Sequence, residues 1–285
     1  MLEILPVWMA AGTGLIFGLV VGSFLNVVIH RLPRMLEQEW RRECAELSGQ
    51  ETPPAETLSL VTPRSRCPHC GTPIKPWHNV PVFGYLWLRG RCAACSARIG
   101  LRYPLVELAT GLLTAAVAWR FGLSWEGLAA ALLTWSLVAL TVIDIDHQLL
   151  PDRITMPLVW TGLLFSVWGL FTTPGDAIVG AISGYLSLWL VFQGFRLATG
   201  KEGMGFGDFK LLAVFGAWFG WQLLPQIVLV SSVVGAVTGV AMMAAGRQGR
   251  GQPIPFGPFL AVAGWIALMW GAEINRIYLD LTGLG

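Results

Sequence analysis

Charge stands in unusual places in this chain. Asp144 and Asp146 close a long apolar run in Val142-Ile-Asp-Ile-Asp-His-Gln-Leu-Leu-Pro-Asp152, and Asp208 opens another in Gly203-Met-Gly-Phe-Gly-Asp-Phe-Lys210. An ionisable group in or beside a membrane span is costly enough that function is its default reading. If Asp144 and Asp208 meet in a poorly solvated site, they cannot both ionise cheaply and must share a proton as a coupled pair. The ionised member can then activate a water as general base. The protonated member can donate toward a carbonyl oxygen and steady a tetrahedral intermediate. That is the chemistry of aspartic peptide hydrolysis. Gly203, Gly205 and Gly207 would let the backbone approach a substrate strand closely before the helix starts. Blander roles compete: Asp152 after Pro151 as a helix cap, Asp146 as a solvated group at a helix end, Asp208 as an N-cap. The glycine run is not a nucleotide loop, because it lacks the G-x-G-x-x-G spacing and no strand precedes it.

A second constellation lies in the one sizeable polar region. Cys67-Pro-His-Cys70 and Cys92-Ala-Ala-Cys95 are two C-x-x-C knuckles separated by 21 residues, near the spacing of four-thiolate zinc ribbons. Each knuckle turns two sulfurs toward one point, and four thiolates complete the tetrahedral shell of a closed structural Zn²⁺ site. Unliganded thiols or a pair of disulfides are the alternatives, and a reducing cytoplasm disfavours the second. His69 and His78 are bystanders in this reading, and Cys44 is an inert thiol. The loop has little aliphatic content, so metal binding is the means of folding the segment between the knuckles.

These groups must be positioned by helices in a bilayer. Of the 285 residues 54% are hydrophobic and 13% charged, and the mean hydropathy is +0.61, which excludes a soluble chain of this length. A net charge of +2 gives no global basic field, so nucleic acid is not an expected partner. A bilayer core of roughly 30 Å needs about 20 apolar residues in a helix. Apolar windows run from Val7 to Ile29, Pro104 to Trp119 (with Glu107 inside), Gly127 to Ile143, Ile154 to Gly175, Ala177 to Phe195 and Phe256 to Ala272. The uncharged stretch between Lys210 and Arg247 is too long for one span, so two helices share it, with a turn near Trp221, Gln222 and Pro225. The first window has no basic residue before it, only Glu3, and no small-x-small cleavage pattern after it, so it reads as a retained span.

The predicted fold is therefore an all-α polytopic membrane protein of about eight transmembrane helices, with a small zinc-ribbon-like cytoplasmic loop after the first. With the N-terminus outside, every one of the 19 Lys and Arg residues except Arg120 and Arg276 lies on the cytoplasmic side, as the positive-inside rule requires. Asp144 and Asp208 then end and begin spans in the same leaflet. The expected division is 1–30 as the first span, 31–103 as the cysteine loop and 104–285 as a seven-span core. Within the loop, residues 37–62, with Pro53-Pro54, read as a helix end followed by a flexible stretch. Trp8, Trp119, Trp125 and Trp221 fall at span ends, where an aromatic belt sits.

With these residues in place the chain resembles the bacterial type IV prepilin leader peptidases. The likeness rests on Gly205-Phe-Gly207-Asp208 with Phe209-Lys210, which looks like the G-x-G-D motif of intramembrane aspartyl proteases. It also rests on Gly22-Ser-Phe-Leu-Asn-Val-Val-Ile-His-Arg-Leu-Pro33, the two knuckles, Arg102-Tyr-Pro-Leu-Val-Glu107, the Asp144 to Asp152 run and Pro255-Phe-Gly-Pro258. The resemblance implies an inner-membrane enzyme that cuts the basic leader from prepilins and pseudopilins and then N-methylates the new N-terminus with S-adenosylmethionine. It places the catalytic pair on Asp144 and Asp208, with Gly205, Gly207, Asp146, Asp152 and Lys210 in support. It ties methyl transfer to the N-terminal half, where Gly90 in Leu88-Arg-Gly-Arg91 matches.

Glu107 and Asn26 are further candidates for the methyl-transfer or substrate groove. Ser23, Asn26 and His30 share one helical face, although helix-to-helix hydrogen bonding explains polar residues in a span equally well. Glu107 would hold a substrate amine or pair with Arg102 or another loop arginine. The rival classes are a peptidase without methylation, a proton- or cation-coupled transporter, and a non-catalytic scaffold whose zinc loop binds a partner. A transporter predicts acids at the bilayer midplane and a repeat between halves, and neither is visible in the sequence.

Overall fold

The computed structural model describes residues 6–50, 58–201, 203–245 and 254–283. Glu3, Pro53, Pro54, Arg247 and Arg250 lie outside the described residues. Among those described, the chain is helical, with two isolated β-bridges in the cysteine loop, and it forms two compact units, 1–139 and 140–285.

In the first unit, α1 (Val7–Leu47) is 41 residues long and continues through Pro33. The expected boundary at residue 30 therefore falls inside a helix, and the helix end anticipated in the loop comes at Leu47. A 3-10 turn (Pro76–Asn79) and the short α2 (Phe83–Trp87) follow, then α3 (Arg102–Phe121) and α4 (Trp125–His147), whose last residues belong to the second unit. Helix α1 lies along α3 through Gly14, Gly18 and Gly22, spaced one turn apart. A Cβ on Gly14 would sit 2.7 Å from the Ala118 Cβ, and one on Gly22 would sit 2.8 Å from the Glu107 Cα. Lipid tails are as apolar as leucine, so association in a bilayer rests on such close backbone approach and on interhelical hydrogen bonds. Thr114 supplies one of these, accepting from Trp135 Nε1 at 2.9 Å.

The second unit contains α5 (Asp152–Val167), α6 (Pro174–Thr199), α7 (Phe206–Phe219), a 3-10 turn (Trp221–Leu223), α8 (Leu224–Ala244) and α9 (Gly257–Thr282). The turn breaks the long uncharged stretch where Trp221 and Gln222 predict it. Thr173 caps α6 by accepting from Asp176 N, and Gly200 ends it in a left-handed conformation.

Eight helices of 14 residues or more thus stand at the eight expected places among the described residues. Five segments are each long and apolar enough to cross a membrane: Val7–Leu47, Trp125–His147, Pro174–Thr199, Trp221–Ala244 and Gly257–Leu281. Helices α5 and α7, at 16 and 14 residues, rise only about 24 and 21 Å at ~1.5 Å per residue, short of a bilayer core. The window from Ile154 to Gly175 is interrupted because the helix stops at Val167 and the chain turns before α6. Helix α7 is the interior of its unit. Phe209, Leu211, Leu212, Val214, Phe215, Ala217 and Trp218 are fully buried, so its hydrophobicity meets protein on every side. Gly216 presses against the backbone of Gly180, and a Cβ on Gly184 would be 2.7 Å from the Leu212 carbonyl oxygen. Trp218 Nε1 donates to the Leu158 carbonyl at 2.8 Å and ties α7 to α5. Trp8, Trp119, Trp125 and Trp221 are all exposed at helix ends.

Candidate functional site

Asp144 lies one turn before the end of α4, and Asp208 is the third residue of α7. Gly205 occupies the N-cap position of α7 and has no side chain to cap with, so Asp208 is displaced from the capping role and its carboxylate is free to face inward. Both aspartates are buried, and they are close enough for their charges to interact. Asp144 Oδ2 accepts a hydrogen bond from Gly257 N at 3.1 Å. A Cβ on Gly257 would lie 2.6 Å from that same oxygen, so only glycine lets the start of α9 come so near. Gly205 sits against the Asp208 carboxylate, its Cβ position 3.9 Å from Oδ2.

Leu150 is the packing element common to these pieces. It is buried in the turn between α4 and α5. Its side chain fills the space that a Cβ on Gly207 would enter at 2.8 Å and a Cβ on Gly257 at 3.1 Å. The turn itself is tight: Gln148 adopts φ +52° and its N–H donates to the Asp144 carbonyl at 2.9 Å. The segment 148–151 therefore carries the chain from the Asp144 end of α4 directly to the start of α5.

Asp152 is the first residue of α5, while the N-cap position is Pro151. Both its carboxylate oxygens accept from Lys210 Nζ, at 2.7 and 2.8 Å. The ion pair joins the first turns of α5 and α7, two residues from Asp208. Asp146, by contrast, is exposed. Sequence reading named Asp144, Asp208, Asp152 and Lys210 but gave no role to Gly257 or Leu150. The Pro255-Phe-Gly-Pro258 motif was the available signal for the first; nothing local marks the second.

In the first unit the four knuckle sulfurs all lie within 4.8 Å of one another, and Cys67 Sγ to Cys95 Sγ is 3.8 Å. Four sulfurs at ~2.3 Å from one Zn²⁺ are about 3.8 Å apart in a tetrahedron, so the cluster can hold a structural zinc. The two knuckles repeat one another. Gly71 N donates to Cys67 O and Cys67 N to Thr72 O; Ser96 N donates to Cys92 O and Cys92 N to Ala97 O. Gly71 and Ser96 occupy the matching left-handed position, at φ +69° and +58°. Hydrogen bonding with Thr72 pushes the Cys70 thiol down to about 6, while burial and the neighbouring sulfurs push Cys95 up to about 11, so the four sulfurs become thiolates together only with a cation among them.

Glu107 is buried and accepts from Val82 N at 2.7 Å, with a further hydrogen bond from Ser23. It holds the start of α2, where Val82 has φ +61°. Asn26 donates to the Tyr103 carbonyl at 3.1 Å, which joins α1 to the beginning of α3. Gly90 has φ +68°, and a Cβ there would meet the Tyr85 hydroxyl at 2.7 Å.

Comparison with known proteins brings two family models to the chain. One, described as the bacterial peptidase A24 N-terminal domain, matches residues 16–121, and one described as the type IV leader peptidase family matches residues 131–240. A prepilin leader peptidase/N-methyltransferase of Pseudomonas aeruginosa is 57% identical over 270 residues, covering 94% of this chain and 93% of that protein. The protein of the same name from Aeromonas hydrophila is 54% identical over 277 residues, covering 95% and 94%. That from Burkholderia pseudomallei is 48% identical over 283 residues, covering 98% and 90%. No solved structure matches the chain.

Proposed function

Because this chain belongs to the type IV leader peptidase family, we propose that it is a multi-pass membrane enzyme that removes the leader of prepilins and pseudopilins and methylates the new N-terminus. The carrying observation is the pair of buried aspartates from α4 and α7, one of them fixed by the Gly257 amide.

Asp144 and Asp208 form the catalytic pair. With one oxygen of Asp144 bound by Gly257, its other oxygen is available to a water. One carboxylate takes a proton as the water oxygen bonds to the scissile carbonyl carbon. The other, protonated, donates toward the carbonyl oxygen, and collapse of the intermediate sends a proton to the leaving amide nitrogen as the C–N bond breaks. Gly205 and Gly207 keep the approach to Asp208 open, and the Lys210–Asp152 pair holds the first turns of α7 and α5 in register. Asp146 has a supporting place at the exposed rim.

The N-terminus lies outside the inner membrane and the aspartates at its cytoplasmic face, a reading supported by the placement of the basic residues. A prepilin, with its basic leader and long apolar helix, presents its scissile bond at that level. S-adenosylmethionine supplies the methyl group when bound. Support for placing it in the first unit comes from an open depression of about 580 Å³ beside Gly90, lined by Leu88, Arg89, Arg91, Cys92, Ala93 and Ser96, against one of the knuckles that hold the metal. Asn26 and Glu107 act there as positioning residues, holding α1, α2 and α3 together.

The test is incubation of the purified protein in detergent with a prepilin and labelled S-adenosylmethionine, followed by mass spectrometry of the substrate's N-terminus. A leader-shortened product with one added methyl group, absent with Asp208→Asn, is expected. Cleavage without methylation restricts the enzyme to the peptidase, and intact substrate returns the transporter and scaffold readings.

A further inference from the structure

The short segment between the cysteine knuckles exposes more apolar surface than a loop in water would. Trp77 is 63% exposed, Phe83 68%, Leu86 62% and Trp87 86%. They do not belong to a frayed strand of chain. Helix α2 is packed on the 3-10 turn that carries Trp77, so closely that Gly84 lies against the His78 carbonyl, and Gly84 N donates to Val80 O at 2.8 Å. Exposure of a rigid aromatic and aliphatic face calls for an occupant.

The anchor of α2 tells which occupant is within reach. Val82, at its N-cap, is bonded through its N–H to the buried Glu107 carboxylate. Glu107 is the sixth residue of α3, which begins at Arg102, so it lies about 7.5 Å along the helix at ~1.5 Å per residue. Helix α2 is therefore held beside the first two turns of α3 rather than out in the water. At the same level α3 exposes Leu105, and Leu108 and Leu112 continue the same apolar stripe along its length. Helix α3 packs along α1, which is one of the five segments apolar enough to cross a membrane, and an exposed leucine stripe beside such a helix is one that lipid covers.

The charges around the face complete the pattern. Lys75 Nζ lies 5.4 Å from the centre of the Trp77 ring. Arg89 and Arg91 follow α2 directly, Arg98 lies between it and α3, Arg102 opens α3, and the acidic residues nearest in sequence are Glu56 and Glu107. Tryptophan beside lysine and arginine is the chemistry of the boundary between acyl chains and anionic headgroups, where rings sit among glycerol groups and cations reach phosphates.

We propose that the face formed by Trp77, Phe83, Leu86 and Trp87 docks into the headgroup boundary of the chain's own bilayer, so that the metal loop lies on the membrane instead of projecting from it. The occupant is the anionic phospholipid surface. This inference is independent of the peptidase reading and holds for any activity of the chain.

The full-length protein, reconstituted in phosphatidylglycerol and phosphatidylethanolamine vesicles, tests it through tryptophan emission. Subtracting the spectrum of Trp87→Phe from that of the wild type isolates Trp87, and Trp77→Phe does the same for Trp77. Both substitutions keep an aromatic ring at a mostly exposed position, and each variant should elute in detergent as the wild type does. The isolated Trp87 signal should be lost in vesicles containing lipid brominated high on the acyl chain and should persist in aqueous iodide. Loss in iodide with persistence in brominated lipid overturns the proposal, because the face then looks into water.

Discussion

The backbone amide of Gly257 donates to Asp144 Oδ2 at 3.1 Å across 113 positions of sequence. One link of this kind accounts for why a motif at the start of α9 is needed by a carboxylate at the end of α4. The amide orients Asp144 by occupying one of its oxygens, and the missing side chain of Gly257 leaves that oxygen its room.

Adding a single methyl group there should therefore damage catalysis more than folding. Gly257→Ala puts a carbon 2.6 Å from Oδ2, and misplacing a reacting group by about 1 Å costs on the order of 100-fold in rate. We expect kcat on a prepilin to fall by that order with KM nearly unchanged, while the detergent-purified variant elutes as the wild type does. An unchanged kcat removes Gly257 from the site.

For the pair itself, Asp144→Asn and Asp208→Asn should each lower cleavage by at least about 100- to 10,000-fold, the usual share of a positioned acid or base. The double variant should be no worse than the more damaged single one, because the two groups act as a unit. Additive losses in a cleavage assay would falsify the shared-proton arrangement.

The Lys210–Asp152 ion pair is bidentate, with the Lys210 side chain 22% and the Asp152 side chain 59% exposed. A pair so exposed is worth only about 0.2–1 kcal/mol of stability. Lys210→Met and Asp152→Asn should accordingly leave the thermal midpoint almost unmoved. Their effect should be on cleavage rate, and a double-mutant cycle should show the two losses coupled. Independent losses would mean that each residue contacts substrate by itself.

Metal content offers a separate check on the knuckles. The purified protein should carry one zinc per chain by elemental analysis, and Cys92→Ser should lose it. Ser96 holds a left-handed conformation that its counterpart Gly71 adopts freely, at a cost of roughly 1–2 kcal/mol for a residue with a Cβ. Ser96→Gly should retain the metal against a chelator at least as long as the wild type. Faster release would show that the serine side chain does something the repeat does not predict.

Glu107 is the one buried acid in α3, and its bond to Val82 N is geometric rather than ionic. Glu107→Gln keeps a carbonyl oxygen for that amide and should preserve proteolytic resistance of the loop. Glu107→Leu removes the acceptor of a part-buried N–H, at up to about 1–3 kcal/mol, and should expose the segment between the knuckles to limited proteolysis. Equal resistance in both variants would show that α2 is held by something else.

Much of this protein was legible from residue types and spacing. Composition required a membrane, the apolar windows located eight helices, the two C-x-x-C pairs implied a thiolate metal site, and the aspartates stood out because charge beside a span is expensive. Those signals are local: each is contained in a stretch no longer than a helix or a knuckle. The tertiary structure decided what is not local. It set Asp144 within the electrostatic reach of Asp208, brought Gly257 to the first and Leu150 between the glycines, and gave Glu107 a backbone amide to hold. It also made α7 a short interior helix where its hydropathy read as a span, because an uncharged segment looks the same whether lipid or protein surrounds it. In a bilayer, apolarity cannot choose which helices touch. That choice falls to close approaches such as Gly180 on Gly216, and those exist only once the helices have met.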